Sequence, residues 1–131
     1  MKYACIDYGA RRVGIAVSNQ EGTIAFPRAT VSCDAHLVRM IQRMVTDEKI
    51  EKIIMGDART ISGEANQITH EVEMFAQSLR DTGTVPVELA REAWSSIEAA
   101  RYAPRSKDHD DAAAAAIILQ RYLDMKGNAV E

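Results

Sequence analysis

Tyr3-Ala4-Cys5-Ile6-Asp7-Tyr8-Gly9-Ala10-Arg11-Arg12-Val13-Gly14-Ile15-Ala16-Val17-Ser18 is the stretch on which the fold turns. Tyr3 to Asp7 reads as a short buried strand and Val13 to Ser18 as a second, with Gly9 available for the turn between them. Asn19-Gln20-Glu21-Gly22 is a polar, glycine-bearing link to a third strand, Thr23 to Val31. Three strands on short loops predict an antiparallel meander. Pro27 lies in the third, and a missing amide hydrogen is best tolerated at a sheet edge, so that strand is expected there.

Beyond the meander the period changes. Leu37, Ile41, Met44 and Val45 recur at helical intervals, with Asp34 as the expected N-cap and Met40 and Met44 as core filling. Lys52 to Met55 is a fourth apolar strand, ending at Gly56. Ile68, Val72, Phe75, Ala76 and Leu79 form a second helical stripe, closed by Gly83, and Val85 to Leu89 is a fifth strand. A helix between two strands makes a crossover, so the fourth and fifth strands are expected to be parallel. A short helix containing Ile97 and Tyr102, capped by Ser95 or Ser96, and a polar break at Pro104 to Asp108 follow. The last helix runs through Ala112 to Leu123, with Asp108, Asp110 and Asp111 placed to complement its dipole. The predicted fold class is α/β, a five-stranded mixed sheet flanked by helices, as in the ribonuclease H-like architecture.

Composition agrees with one globular domain over residues 1–131: 47% of residues are hydrophobic and 27% charged, which excludes disordered and fibrous classes. The net charge of −3 gives no overall cationic field, so any nucleic-acid binding must use a local basic face. Cys5 and Cys33 make no disulfide framework. With no membrane-length apolar run and no signal-peptide stretch, a cytoplasmic protein without a membrane partner is expected.

Asp7 is an acid at the end of a hydrophobic strand, where an ionised carboxylate must be solvated, paired or bound to a cation. A turn aspartate bonding its own backbone before Gly9 is an equal reading. Glu92 follows the fifth strand and Asp111 opens the last helix; taken singly, both read first as helix-start caps or solvated acids. A mixed sheet can nevertheless bring the three together. Converging carboxylates repel one another unless a divalent cation compensates them, and Mg²⁺ or Mn²⁺ suits oxygen ligands.

The chain resembles the YqgF/RuvX family of Holliday junction resolvases, also assigned to maturation of precursor 16S ribosomal RNA. The resemblance runs from Ile6 to Asp124 and is strongest in Ile6-Asp7-Tyr8-Gly9-Ala10-Arg11-Arg12-Val13-Gly14-Ile15-Ala16-Val17-Ser18 and in Asp111-Ala112-Ala113-Ala114-Ala115-Ala116-Ile117-Ile118-Leu119-Gln120-Arg121-Tyr122-Leu123-Asp124. The middle departs from the pattern. Gly56-Asp57-Ala58 stands where the family has Gly-Leu-Pro, and Arg91 and Ala93 flank Glu92 where the family has an acid and an arginine. Gly63 and Asn66 resemble a Gly-x-x-Asn element of a divergent branch.

The resemblance implies a ribonuclease H-like fold, Asp7, Glu92 and Asp111 as catalytic metal-binding carboxylates, Mg²⁺ or Mn²⁺ as cofactor, and phosphodiester hydrolysis by metal-activated water. It also implies a structured RNA or branched DNA partner, and for a resolvase a homodimer. Arg11, Arg12 and Arg28 around the first turn, and Arg101, Arg105 and Lys107 before Asp111, are the candidate phosphate contacts; a solvated charged surface is their ordinary role. His36, His70 and His109 show no zinc spacing, His109 reading first as a capping or exposed residue, and Trp94 reads first as core packing. A catalytically weakened nucleic-acid binding module is the alternative suggested by Arg91 and Ala93. The Asp7-to-Gly9 element also resembles the first phosphate loop of actin-like ATPases, whose second lobe a chain of 131 residues lacks.

Overall fold

The structure, a computed structural model, describes residues 1–9, 11–56, 67–83, 85–90 and 111–129. Five strands, β1 (Tyr3–Tyr8), β2 (Arg12–Ser18), β3 (Ala25–Ser32), β4 (Lys52–Gly56) and β5 (Val87–Ala90), form one sheet in the order β3-β2-β1-β4-β5. β1 pairs antiparallel with β2 and β2 with β3, the expected meander, whereas β1–β4 and β4–β5 are parallel. β3 is the edge strand, as Pro27 required. Pro27 lies opposite Ala16 beside a bulge that leaves Arg28 as the extra residue, where the lost amide donor disturbs the ladder least.

Strand alternation divides the apolar side chains between two faces. Ala4, Ile6, Val13, Ile15, Val17, Ile53, Met55 and Val87 pack with helices α1 (Leu37–Glu48) and α2 (Gln67–Thr82). α1 buries Leu37, Ile41, Met44 and Val45, and α2 buries Val72, Ala76 and Leu79. Tyr3, Cys5, Ala16 and Ile54 face the other way, against Ala115, Ile118, Leu119 and Leu123 of α3 (Asp111–Ala129). The alanines that give α3 its helical propensity also keep it thin, so it lies close across β1, β2 and β3. Fully buried Ile118 and Leu119 each contribute about 1.5–3 kcal/mol to that packing.

The boundaries that differ from expectation have local causes. β3 begins at Ala25 rather than Thr23, because the Asn19 carboxamide oxygen accepts the N–H groups of Thr23 at 2.8 Å and Ile24 at 3.1 Å and holds both in the turn. β5 begins at Val87 rather than Val85, after Pro86, whose carbonyl accepts the Ile53 N–H at 2.9 Å. Asp34 is not the N-cap of α1. His36 occupies that position without a side-chain cap, and Asp34 Oδ1 accepts the His36 N–H at 2.9 Å in the preceding turn. The expected helix around Ile97 and Tyr102 falls outside the described residues. Among those described, no helix is long and apolar enough to cross a membrane.

Candidate active site at the carboxyl edge of the parallel strands

Parallel pairing aligns the carboxyl ends of β1, β4 and β5 along one edge of the sheet, where open α/β sheets bind ligands. Asp7 stands there near the end of β1. It shares a face with Cys5, and its negative charge adds to burial in pushing the Cys5 thiol well above its ordinary range. Asp7 is half-buried and pairs across the ladder with Gly14 of β2.

Gly14 brings the second acid in. A β-carbon at Gly14 would stand 1.9 Å from the Asp111 carbonyl oxygen and 2.9 Å from the Ala112 nitrogen, so only glycine lets the first turn of α3 descend onto β2. On the far side of Gly14 its β3 partner is Thr30, whose hydroxyl accepts the Ala112 N–H at 3.1 Å. One otherwise unpaired donor of the helix start is thereby satisfied from a neighbouring strand. Asp7, Gly14 and Thr30 are thus successive rungs of adjacent strands, with Asp111 seated above the middle one.

The Asp111 side chain is only 12% exposed and faces Arg12, whose Nε lies 3.1 Å from its Oδ2; the Arg12 side chain is 55% exposed. The position of Asp111 in the first turn of α3 also suits its charge to the helix dipole. Arg11, exposed on the β1–β2 connection, completes the local basic pair, its carbonyl accepting the Cys33 N–H at 2.9 Å. Arg28 does not join them. It pairs with Glu48 of α1 at 3.0 Å, on the face opposite α3.

Glu92, Arg101, Arg105, Lys107, His109 and Trp94 lie outside the described residues, and among those described no three metal-ligating side chains cluster. Asp7, on β1 beside Gly14, and Asp111, whose main chain rests on Gly14, each carry carboxylate oxygens, a donor type that fits Mg²⁺ or Mn²⁺. Tyr8, next to Asp7, points the other way. Its ring lies 5.0 Å from that of Phe75, and interaction with the neighbouring Cys33 thiol, together with partial burial, pushes the phenol up to about 12.

At the opposite end of α3 a polar cluster fixes the helix to β4 and β5. Lys52 pairs with Glu88, and the Tyr122 hydroxyl donates to the same Glu88 oxygen at 3.1 Å while accepting from Lys52 Nζ at 3.3 Å. The Lys52 contact holds the Glu88 carboxyl below its ordinary range, and Glu88 in turn raises Lys52. Gly14, Thr30 and this cluster were not singled out from the sequence. Gly14 did carry a signal, as an isolated glycine within a strand pattern; a hydroxyl or ion pair joining residues so distant in the chain carries none.

Known proteins resemble the chain in sequence and in fold. The chain is 39% identical over 102 residues to a protein of Oleidesulfovibrio alaskensis named "Putative pre-16S rRNA nuclease", spanning 76% of this chain and 70% of that one. A Chlorobaculum tepidum protein of the same name is 36% identical over 91% of this chain and 90% of its own. In three dimensions the crystal structure of the fowlpox virus Holliday junction resolvase superposes with a TM-score of 0.58, covering 95% of this chain and 99% of that one at 13% identity, a likeness of fold. The family described as RuvX, Holliday junction resolvase, matches residues 1–125, nearly the whole chain, and the chain belongs to that family.

Proposed function

We propose that the protein is a metal-dependent endonuclease of structured nucleic acid, with Asp7, Glu92 and Asp111 as its catalytic carboxylates and Mg²⁺ or Mn²⁺ as its cofactor. The observation that carries this reading is that Asp7 pairs with Gly14 and the Asp111 main chain rests on the same glycine, in a member of a nuclease family. A divalent cation held there supplies an activated water and charge stabilisation for the leaving oxygen. Asp7 and Asp111 contribute carboxylate oxygens from a strand end and a helix start, two rigid elements. Glu92, which follows β5, contributes the third. Arg11, Arg12, Arg101, Arg105 and Lys107 bind backbone phosphates and orient the scissile bond.

Precursor 16S ribosomal RNA is the substrate we favour, because relatives at 36–39% identity carry that name, and it places the work in the cytoplasm. The family description supports a four-way DNA junction as the second substrate, which would be cut by a homodimer presenting two sites. Incubation of the purified protein with each substrate, with Mg²⁺ or Mn²⁺ and with chelator, tests the proposal. Metal-dependent cleavage of the RNA alone supports rRNA maturation, and cleavage of the junction by a dimer supports resolution. Salt-sensitive binding without cleavage of either would overturn catalysis and leave a nucleic-acid binding module.

A further inference from the structure

The ion pair between Arg12 and Asp111 is lopsided. The carboxylate is almost enclosed and is anchored by a main chain pressed against Gly14, whereas more than half of the Arg12 side chain is exposed. A carboxylate so enclosed is costly without a positive partner, so Asp111 requires a counter-charge whether or not metal is present. Arg12 opens β2, on the face that carries Gly14, and its cross-strand partner is Ser32 at the end of β3. It therefore stands at the margin of the site, where a change of rotamer carries its guanidinium from the carboxylate to solvent. A guanidinium fork matches a phosphodiester as well as it matches a carboxylate.

We propose that Arg12 is an exchangeable counter-ion of Asp111: it neutralises the carboxylate in the metal-free protein, yields Oδ2 to the incoming cation, and moves onto a backbone phosphate of the nucleic acid. The proposal rests on the metal-site reading above. It makes Arg12 a competitor of the metal and a contact of the substrate, coupling cation loading to phosphate binding. A fixed role for Arg12 as an anchor of α3 predicts the opposite sign, since loosening the helix start would weaken metal binding.

Calorimetric titration with Mn²⁺ alone, on metal-free wild type, Arg12→Gln, Arg12→Lys and Asp111→Asn, separates the alternatives. Arg12→Gln is expected to bind Mn²⁺ about fivefold more tightly than wild type, the equilibrium equivalent of one partly exposed ion pair. Arg12→Lys, which keeps the charge, stays near wild type, and Asp111→Asn loses the binding. With Mn²⁺ present, the salt dependence of precursor rRNA binding by Arg12→Gln should fall by about one phosphate contact. Mn²⁺ uptake by Arg12→Gln equal to or weaker than wild type, in a protein whose circular dichroism is native, overturns the exchange and leaves the metal site standing. Failure of wild type and Arg12→Gln alike to take up Mn²⁺ overturns the metal site itself, and the exchange with it.

Discussion

Gly14 lies directly beneath the main chain of Asp111, so close that the space for one methyl group at Gly14 is already filled by the Asp111 carbonyl. Residues from the second strand and the last helix are thereby locked into one contact, and Asp7, the neighbour of Gly14 on β1, is brought to the same place.

Replacement of Gly14 by alanine tests this contact. The added methyl would have to displace backbone, which does not yield as a flexible side chain does. The expected outcome is a loss of about 3 kcal/mol in chemical denaturation, with Mn²⁺ binding impaired because Asp111 moves. An unchanged denaturation midpoint would mean that α3 does not sit on β2 as described.

Thr30 supplies the hydroxyl that accepts the Ala112 N–H. Thr30→Val keeps the shape and removes the acceptor, and should cost about 1 kcal/mol, whereas Thr30→Ser should retain most of the wild-type stability. Equal melting of the two variants would assign Thr30 no part in holding the helix start.

The Lys52–Glu88 pair predicts a pH signature. The folded Glu88 carboxyl is lowered, so its contribution is complete above the ordinary glutamate range and is lost as pH falls through the folded value. Folded Lys52 is raised, so its contribution is complete below the ordinary lysine range and is lost as pH rises through the folded value. Glu88 is 45% exposed, so screening limits the effect, and Glu88→Gln should cost no more than about 1 kcal/mol near neutrality. That difference should shrink as the solution is acidified below about pH 4. A difference independent of pH would show that the lost interaction is not ionic.

The two cysteines should be distinguishable in the native protein. Cys5 is fully buried, with its thiol pushed up by burial and by Asp7, while Cys33 is half-buried. Iodoacetamide should modify Cys33 first and reach Cys5 only on unfolding. Native-state labelling of Cys5 at a comparable rate would contradict the packing of α3 over β1.

Much of this organisation is legible in the chain because it is local. The edge position of β3 follows from Pro27, the burial of α1 from the spacing of Leu37, Ile41, Met44 and Val45, and the burial of β1 from its short apolar run. Asp34 misled because an aspartate before a helix serves equally as a cap or as the acceptor of a preceding turn, and here the turn won. Asp7 and Asp111 could be named and their convergence expected, but not the contact that seats Asp111 on β2. That depends on the absence of a side chain at Gly14 and on a hydroxyl at Thr30, contacts that join parts of the chain widely separated in sequence.

The central claim is that Asp7 and Asp111 act together as ligands of one catalytic metal site, and Mn²⁺-dependent cleavage of a precursor 16S rRNA fragment by wild type, Asp7→Asn, Asp111→Asn and the double variant tests it most directly. Each single substitution should reduce the rate by about a thousandfold, and the double should fall little further, because groups that act as a unit are not additive. Wild-type cleavage by either single variant, with native melting behaviour, would contradict the account.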